Sequence, residues 1–191
     1  MSEYYLKMNG KLLKFNDSLL TVTTGGSGGG TWDTDGYIST MTGTSSPSPF
    51  VATSDSEWHS GVAPWKAFNN DFSDQGTGWL SANTAPPHYI KIDVGAQIYI
   101  WKYAIAIYSS SAVGAPKTWT FQGSTDNSSW TTLDGQTNFT SWTNGAYVVF
   151  NLYPSPAVPP TAYRYYKVNI TANASANYTE FTEMNIYQYL P

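Results

Sequence analysis

The chain has 191 residues, of which 16% are aromatic and only 12% charged, with no cysteine and a formal net charge of −4. That length supports one sizeable domain plus an appendage, and the lack of cysteine excludes a disulfide scaffold, a thiolate zinc site and a cysteine nucleophile. The acidic balance and a single arginine, Arg164, argue against nucleic acid as a partner, while 15 Tyr, 8 Trp, 16 Gly and 11 Pro point to a turn-rich all-β protein and not a helical bundle.

At the N-terminus, Met1-Ser2-Glu3-Tyr4-Tyr5 opens no apolar run that reaches the roughly 7–15 residues of a signal-peptide core, so neither export by that route nor a membrane span is expected. Residues 1–22 differ from the rest: Lys7, Lys11 and Lys14 against Glu3 and Asp17 give +1, which leaves −5 for the remainder. Tyr4–Lys7 and Lys11–Phe15 flank Asn9-Gly10, whose residues tolerate the positive φ angles of a tight hairpin, so a two-stranded ribbon is expected. Two strands alone are marginal in water, and Tyr4, Leu6, Leu12, Leu13 and Phe15 have too little around them to be buried. The ribbon therefore reads as an anchor that docks on another chain, its open edges suited to pairing.

Residues 23–49 read as a linker. Gly25–Gly30 has nothing to pack, lacks the spacing of a phosphate-binding loop, and would span about 13 Å as a coil. Asp33-Thr34-Asp35-Gly36 is read as an Asp-Gly hairpin within residues 31–40, because the twelfth position of a calcium loop would be Thr44. Ser45–Pro49 then forms a stiffer stretch.

From Phe50 onward strand signals follow one another. Ile90, Ile92 and Val94 alternate along His88–Val94, and Tyr103, Ile105 and Ile107 do so in the next run. Further strands are expected at Thr118–Gln122, Tyr147–Leu152, Tyr163–Ile170 and Glu183–Tyr189. No helical period persists, so residues 50–191 should form an antiparallel sandwich or barrel. His59 and His88 are accompanied by no Gly-x-Ser-x-Gly elbow and no His-Glu-x-x-His pair. Paired carboxylates for glycoside cleavage are a matter of spacing in the fold, but the acids are few, and a non-catalytic protein is expected.

A family resemblance then rests on six ordered motifs: Trp65–Asp71, Thr77-Gly78-Trp79, Tyr89–Gly95, Trp119–Trp130, Ala162–Tyr166 and Glu183–Tyr187. Together they resemble the discoidin, or coagulation-factor type C, domain. The resemblance implies an eight-stranded jelly-roll β-sandwich of the galactose-binding-like kind over residues 50–191. Ala115–Thr120 and Ala162–Lys167 are similar to copies found in bacteriophage tail and virion proteins. In similar domains a loop closed by a glutamate from the last strand wraps a structural calcium ion, which implies Lys66, Asn69, Asp71, Asp74 and Thr77 with Glu183. Asn69 stands where an aspartate is usual and about three extra residues precede Thr77, so an ion-free Asx-rich turn is the other reading. Arg164 is expected to lie partly buried against a carboxylate or carbonyls.

The resemblance also implies a sugar site in the loops at one end of the sandwich, where an exposed aromatic lies beside polar side chains. Trp58, His59, Asn83, His88, Tyr108 and Trp142 are the candidates, with packed loop anchors as the alternative for Trp58 and His59. The function so implied is a non-catalytic carbohydrate-binding module on a bacteriophage virion, assembled in the host bacterial cytoplasm. It would be present in many copies or as a homo-oligomer, held to other virion proteins through residues 1–22 and attaching the particle to cell-surface glycans. The alternatives are a structural virion decoration or adaptor that binds no sugar, and a carbohydrate-binding module of a bacterial polysaccharide-degrading protein.

Overall fold

The computed structural model describes residues 4–8, 11–15, 31–73, 75–108, 112–153, 161–175 and 177–191. In chain order the strands are β1 (Tyr4–Met8), β2 (Lys11–Phe15), β3 (Thr31–Trp32), β4 (Val51–Ser54), β5 (Trp79–Leu80), β6 (His88–Ala106), β7 (Pro116–Ser124), β8 (Thr131–Gln136), β9 (Tyr147–Asn151), β10 (Tyr163–Asn173), β11 (Glu180–Phe181) and β12 (Glu183–Leu190). Short 3₁₀ turns are the only helical elements among the described residues.

The two runs expected at 88–94 and 103–107 are one strand of 19 residues. Gly95, at φ +81°, bends it where Asp93 Oδ1 accepts the Gly95 N–H. Residues 88–98 lie in the larger sheet, in the order β4-β6-β10-β7-β8, and residues 99–106 lie in the smaller one, in the order β9-β6-β12-β3. β6 thus joins the two layers of an antiparallel galactose-binding-like sandwich, and β5 pairs with β11 at one end. Alternation places Ile90, Ile92, Val94, Trp119, Phe121, Tyr166, Val168 and Ile170 inside.

At the centre, Tyr103 stacks on Phe121 with centroids 4.1 Å apart and on Phe150 at 4.9 Å. Its hydroxyl donates to Asp134 Oδ2 (2.7 Å) and accepts from Trp119 Nε1 (3.0 Å). Tyr103→Phe would leave a buried indole N–H without an acceptor, and a loss of about 2 kcal/mol is expected in denaturant unfolding. A change under about 0.5 kcal/mol would show that the hydroxyl is dispensable.

Residues 31–41 depart from the expected hairpin. Trp32 pairs with Tyr189, the Asp33 and Tyr37 N–H groups donate to the Gln188 and Ile186 carbonyls, and Gly36 takes φ +88°. The segment therefore extends the smaller sheet along β12, and Ile38, Met41 and Phe50 are buried in the core. Burying Ile38 and Met41 of this segment outweighs a local turn. At the N-terminus β1 pairs antiparallel with β2 as a two-stranded ribbon, Tyr4 opposite Phe15 and Lys7 opposite Leu12. The Asn9-Gly10 turn, the Gly25–Gly30 run and the side chains of Tyr4, Leu6, Leu12, Leu13 and Phe15 lie outside the described residues.

Candidate functional site

Four loops converge at the end of the sandwich that carries β5 and β11. Trp58 N–H donates to the Leu80 carbonyl (2.9 Å), and Trp79 Nε1 donates back to the Ser56 carbonyl (3.0 Å). Ser81 and Thr179 exchange two bonds, Ser81 N to Thr179 O at 3.0 Å and Thr179 N to Ser81 Oγ at 2.9 Å. The Ser175 and Ala174 N–H groups donate to the Val113 and Ala115 carbonyls, each at 3.0 Å. On this frame the Trp58 side chain, 45% exposed, meets Tyr178 edge-on with centroids 5.6 Å apart. The Tyr178 ring is seated against Gly114, where a Cβ would strike it, and Val113 is exposed beside that glycine. An exposed indole against a tyrosine offers an apolar platform, and the 82–87 loop, which carries the exposed Asn83 and Thr84, belongs to the same end of the sandwich.

A second cluster surrounds the last strand's glutamate. Glu183, 1% exposed, accepts the Asp71 N–H at 2.9 Å through Oε1 and is further held by the Asn70 and Asn69 N–H groups. Burial outweighs these donors and pushes its carboxyl up to about 8. The rest of the loop is closed by its own bonds. Asn69 Oδ1 accepts from Asp71 N (2.9 Å), Asn69 Nδ2 donates to the Thr77 carbonyl (3.0 Å), and Thr77 Oγ1 donates to the Asp71 carbonyl (2.8 Å). The Asp71 carboxylate turns away to the Ser73 N–H (2.9 Å), and Lys66 Nζ lies 3.5 Å from the Gly76 carbonyl.

A family model described as the F5/8 type C domain matches residues 44–184. The chain belongs to the F5/8 type C domain family. Solved structures share the fold. A family 32 carbohydrate-binding module of Clostridium perfringens, in complex with GalNAc-β-1,3-galactose, has a TM-score of 0.59 and 15% identity, over 72% of this chain and 94% of that one. The family 32 module of C. perfringens NanJ, in complex with galactose, gives 0.58 and 15% over 72% and 93%. Chitosan-binding module 1 of a Paenibacillus chitosanase/glucanase gives 0.55 and 19% over 73% and 94%. No curated protein matches the chain.

For this F5/8 type C domain, the structure brings Lys66, Asn69, Asp71, Thr77 and Glu183 together, while Asp74 lies outside the described residues. A calcium ion prefers several free hard oxygens, including more than one carboxylate. Here the Asn69 amide, the Thr77 and Asp71 carbonyls and Glu183 already hold N–H or O–H partners, and among the described residues no three acidic or histidine side chains cluster. As folded, the described donors are satisfied within the loop, and the Asn69 Nδ2–H group points at the Thr77 carbonyl instead of leaving it to a cation.

Of the residues expected to contact sugar, Trp58 and Asn83 are exposed at the loop end. His59 is exposed too, but its Nδ1 accepts the Gly61 N–H (3.0 Å) and caps the turn Ser60–Val62. Tyr108 is half-buried beside the bridge from Ile107 to Asn144. Two expectations are corrected. His88 is 2% exposed, with Nδ1 2.8 Å from Asp55 Oδ2 and Nε2 2.8 Å from the Thr84 carbonyl, so it braces the 82–87 loop from below. Trp142 packs on Trp119 (5.6 Å) and Phe139 (5.0 Å) and donates Nε1 to the Pro116 carbonyl (2.9 Å), so it plugs the side of the core. Tyr178 escaped the sequence reading; the only local sign is a lone aromatic between Asn177 and Thr179 in a polar loop.

Arg164 meets a carboxylate, that of Asp93, through Nε at 2.8 Å and Nη2 at 2.9 Å. A bulge between Tyr163 and Tyr165 turns Arg164 out of the inward phase of Tyr166 and Val168. Burial alone would raise the Asp93 carboxyl, but hydrogen bonds from Arg164 and Gly95, with the arginine's charge, hold it below its ordinary value.

Proposed function

We propose that this chain is a non-catalytic glycan-binding module that takes a sugar ring on Trp58 and Tyr178 at the loop end of the sandwich. The observation that carries the reading is the exposed Trp58 indole set edge-on to Tyr178 on a frame tied together by four loops. The fold supports it, since two of its structural neighbours are carbohydrate-binding modules in complex with galactose or with GalNAc-β-1,3-galactose. Affinity electrophoresis of the intact chain through galactan or a GalNAc-bearing polysaccharide tests it: retardation is expected, and free migration of the folded protein through a panel of neutral polysaccharides would reject it.

The finer reading is display on a bacteriophage particle, where many weak sites act together. It is supported by the antiparallel β1–β2 ribbon and by the likeness of residues 115–120 and 162–167 to virion proteins. The same domain would equally serve a bacterial polysaccharide-degrading protein, and the ribbon is where the two readings part. Removal of residues 1–30 should leave the melting temperature of the domain unchanged and abolish incorporation into particles. Incorporation without the ribbon, or a remainder that no longer folds, would count against the anchor.

A further inference from the structure

The outer face of the larger sheet gathers charge that the loop site does not use. Lys91 of β6 and Lys167 of β10 stand directly opposite each other in the antiparallel register, an arrangement that destabilises a sheet when the charges are alike. Three of the chain's nine basic residues, Lys91, Arg164 and Lys167, lie on this face of an acidic protein. Lys91 Nζ donates to Asn127 Oδ1 (2.8 Å), and Lys167 Nζ sits 3.9 Å from the centroid of Trp130 and 5.8 Å from that of Tyr89. Among the described residues neither lysine has an ion pair. Asp93, whose charge reaches Lys91, holds Arg164, and Asp126, next to Asn127, accepts from Ser124 Oγ and from the Ser128 and Ser129 N–H groups.

The row continues on both sides of the lysine pair. Thr53 of β4 lies opposite Lys91 and Gln122 of β7 opposite Lys167, and both Thr53 Oγ1 and Gln122 Oε1 are buried without a hydrogen-bond partner. Two ammonium groups without an ion pair, that of Lys167 lying over Trp130 and near Tyr89, match an anion carried on a ring with apolar C–H faces. A carboxylate between them would take charge-assisted bonds from both and relieve their repulsion. Five strands at about 4.8 Å spacing give a face roughly 20 Å wide, long enough for several sugar units in a row.

We propose that this face is a second glycan-binding surface, independent of Trp58, which takes the chain of an acidic polysaccharide with its carboxylates at Lys91 and Lys167. The test is affinity electrophoresis of the whole chain in gels holding polygalacturonate, neutral galactan or polyglutamate. Polygalacturonate should retard the protein in about 10 mM salt, where the Debye length is about 30 Å, and much less in about 1 M salt, where it is about 3 Å. The double variant Lys91→Gln, Lys167→Gln should lose that retardation at least tenfold, melt no lower than the parent and keep its retention by galactan. Arginine at both positions should preserve polygalacturonate binding, and Trp58→Ala should not affect it.

Absence of polygalacturonate retardation, or retardation unchanged in the glutamine variant, would overturn the proposal. Loss of it in Trp58→Ala would assign it to the loop site instead, and equal retardation by polyglutamate would reduce the face to a charge trap with no seat for sugar. Loss of galactan retention alone would touch the loop site and leave this surface standing.

Discussion

Trp58→Ala should lower retention by galactose-bearing glycan at least tenfold, equivalent to about 1.4 kcal/mol of binding free energy, without changing the melting temperature. The indole is 45% exposed, and what ties residue 58 to the frame is its backbone N–H on the Leu80 carbonyl, which alanine retains. A surface truncation of this kind moves stability by no more than about 0.5 kcal/mol. Tyr178→Ala should follow the same pattern with a smaller binding loss, since Tyr178 supports the Trp58 edge and contributes the far margin of the platform. His59→Ala, by contrast, removes a cap and should leave retention within about threefold, a difference under roughly 1 kcal/mol. Equal retention by the parent and Trp58→Ala would move the site away from this end of the sandwich.

Asn69→Asp should convert the loop from calcium-indifferent to calcium-dependent. In the parent the Asn69 Nδ2–H group bonds the Thr77 carbonyl at 3.0 Å, and melting should be the same with chelator as with millimolar calcium. The aspartate loses that donor and sets a second carboxylate facing a carbonyl close to the buried Glu183, so chelated protein should lose about 2 kcal/mol of stability. A divalent cation that binds only the folded state would restore it in proportion to the logarithm of its concentration. Paired thermal melts in chelator and in calcium decide the matter. A parent that melts higher with calcium would show that the ion displaces the Asn69 bonds, and an Asn69→Asp protein indifferent to calcium would show that the ring is no cation seat at all.

The residues by themselves determined the class of fold and the order of its parts. Period-two alternation at Ile90, Ile92 and Val94 and at Trp119 and Phe121 is a local property of a pleated strand with one face buried, so it survives without knowledge of the partner strands. The two strands of the ribbon likewise follow from apolar runs on either side of Asn-Gly, and the six ordered motifs identified the domain. The same alternation held an overlooked signal, for His88 is in phase with Ile90 and belongs to the buried face. Tertiary structure decided the rest, because each of those features depends on groups far away in the chain. Residues 31–41 gave up a local hairpin for β12, and only the fold sets Trp58 beside Tyr178. The loop at Asn69 is closed by Glu183, 112 positions beyond Asp71. Lys91 and Lys167 are an ordinary pair of strand lysines in sequence, and only the β6–β10 register sets them face to face. Backbone pattern is encoded locally, whereas the chemistry of a site belongs to whichever side chains the sheet order brings into contact.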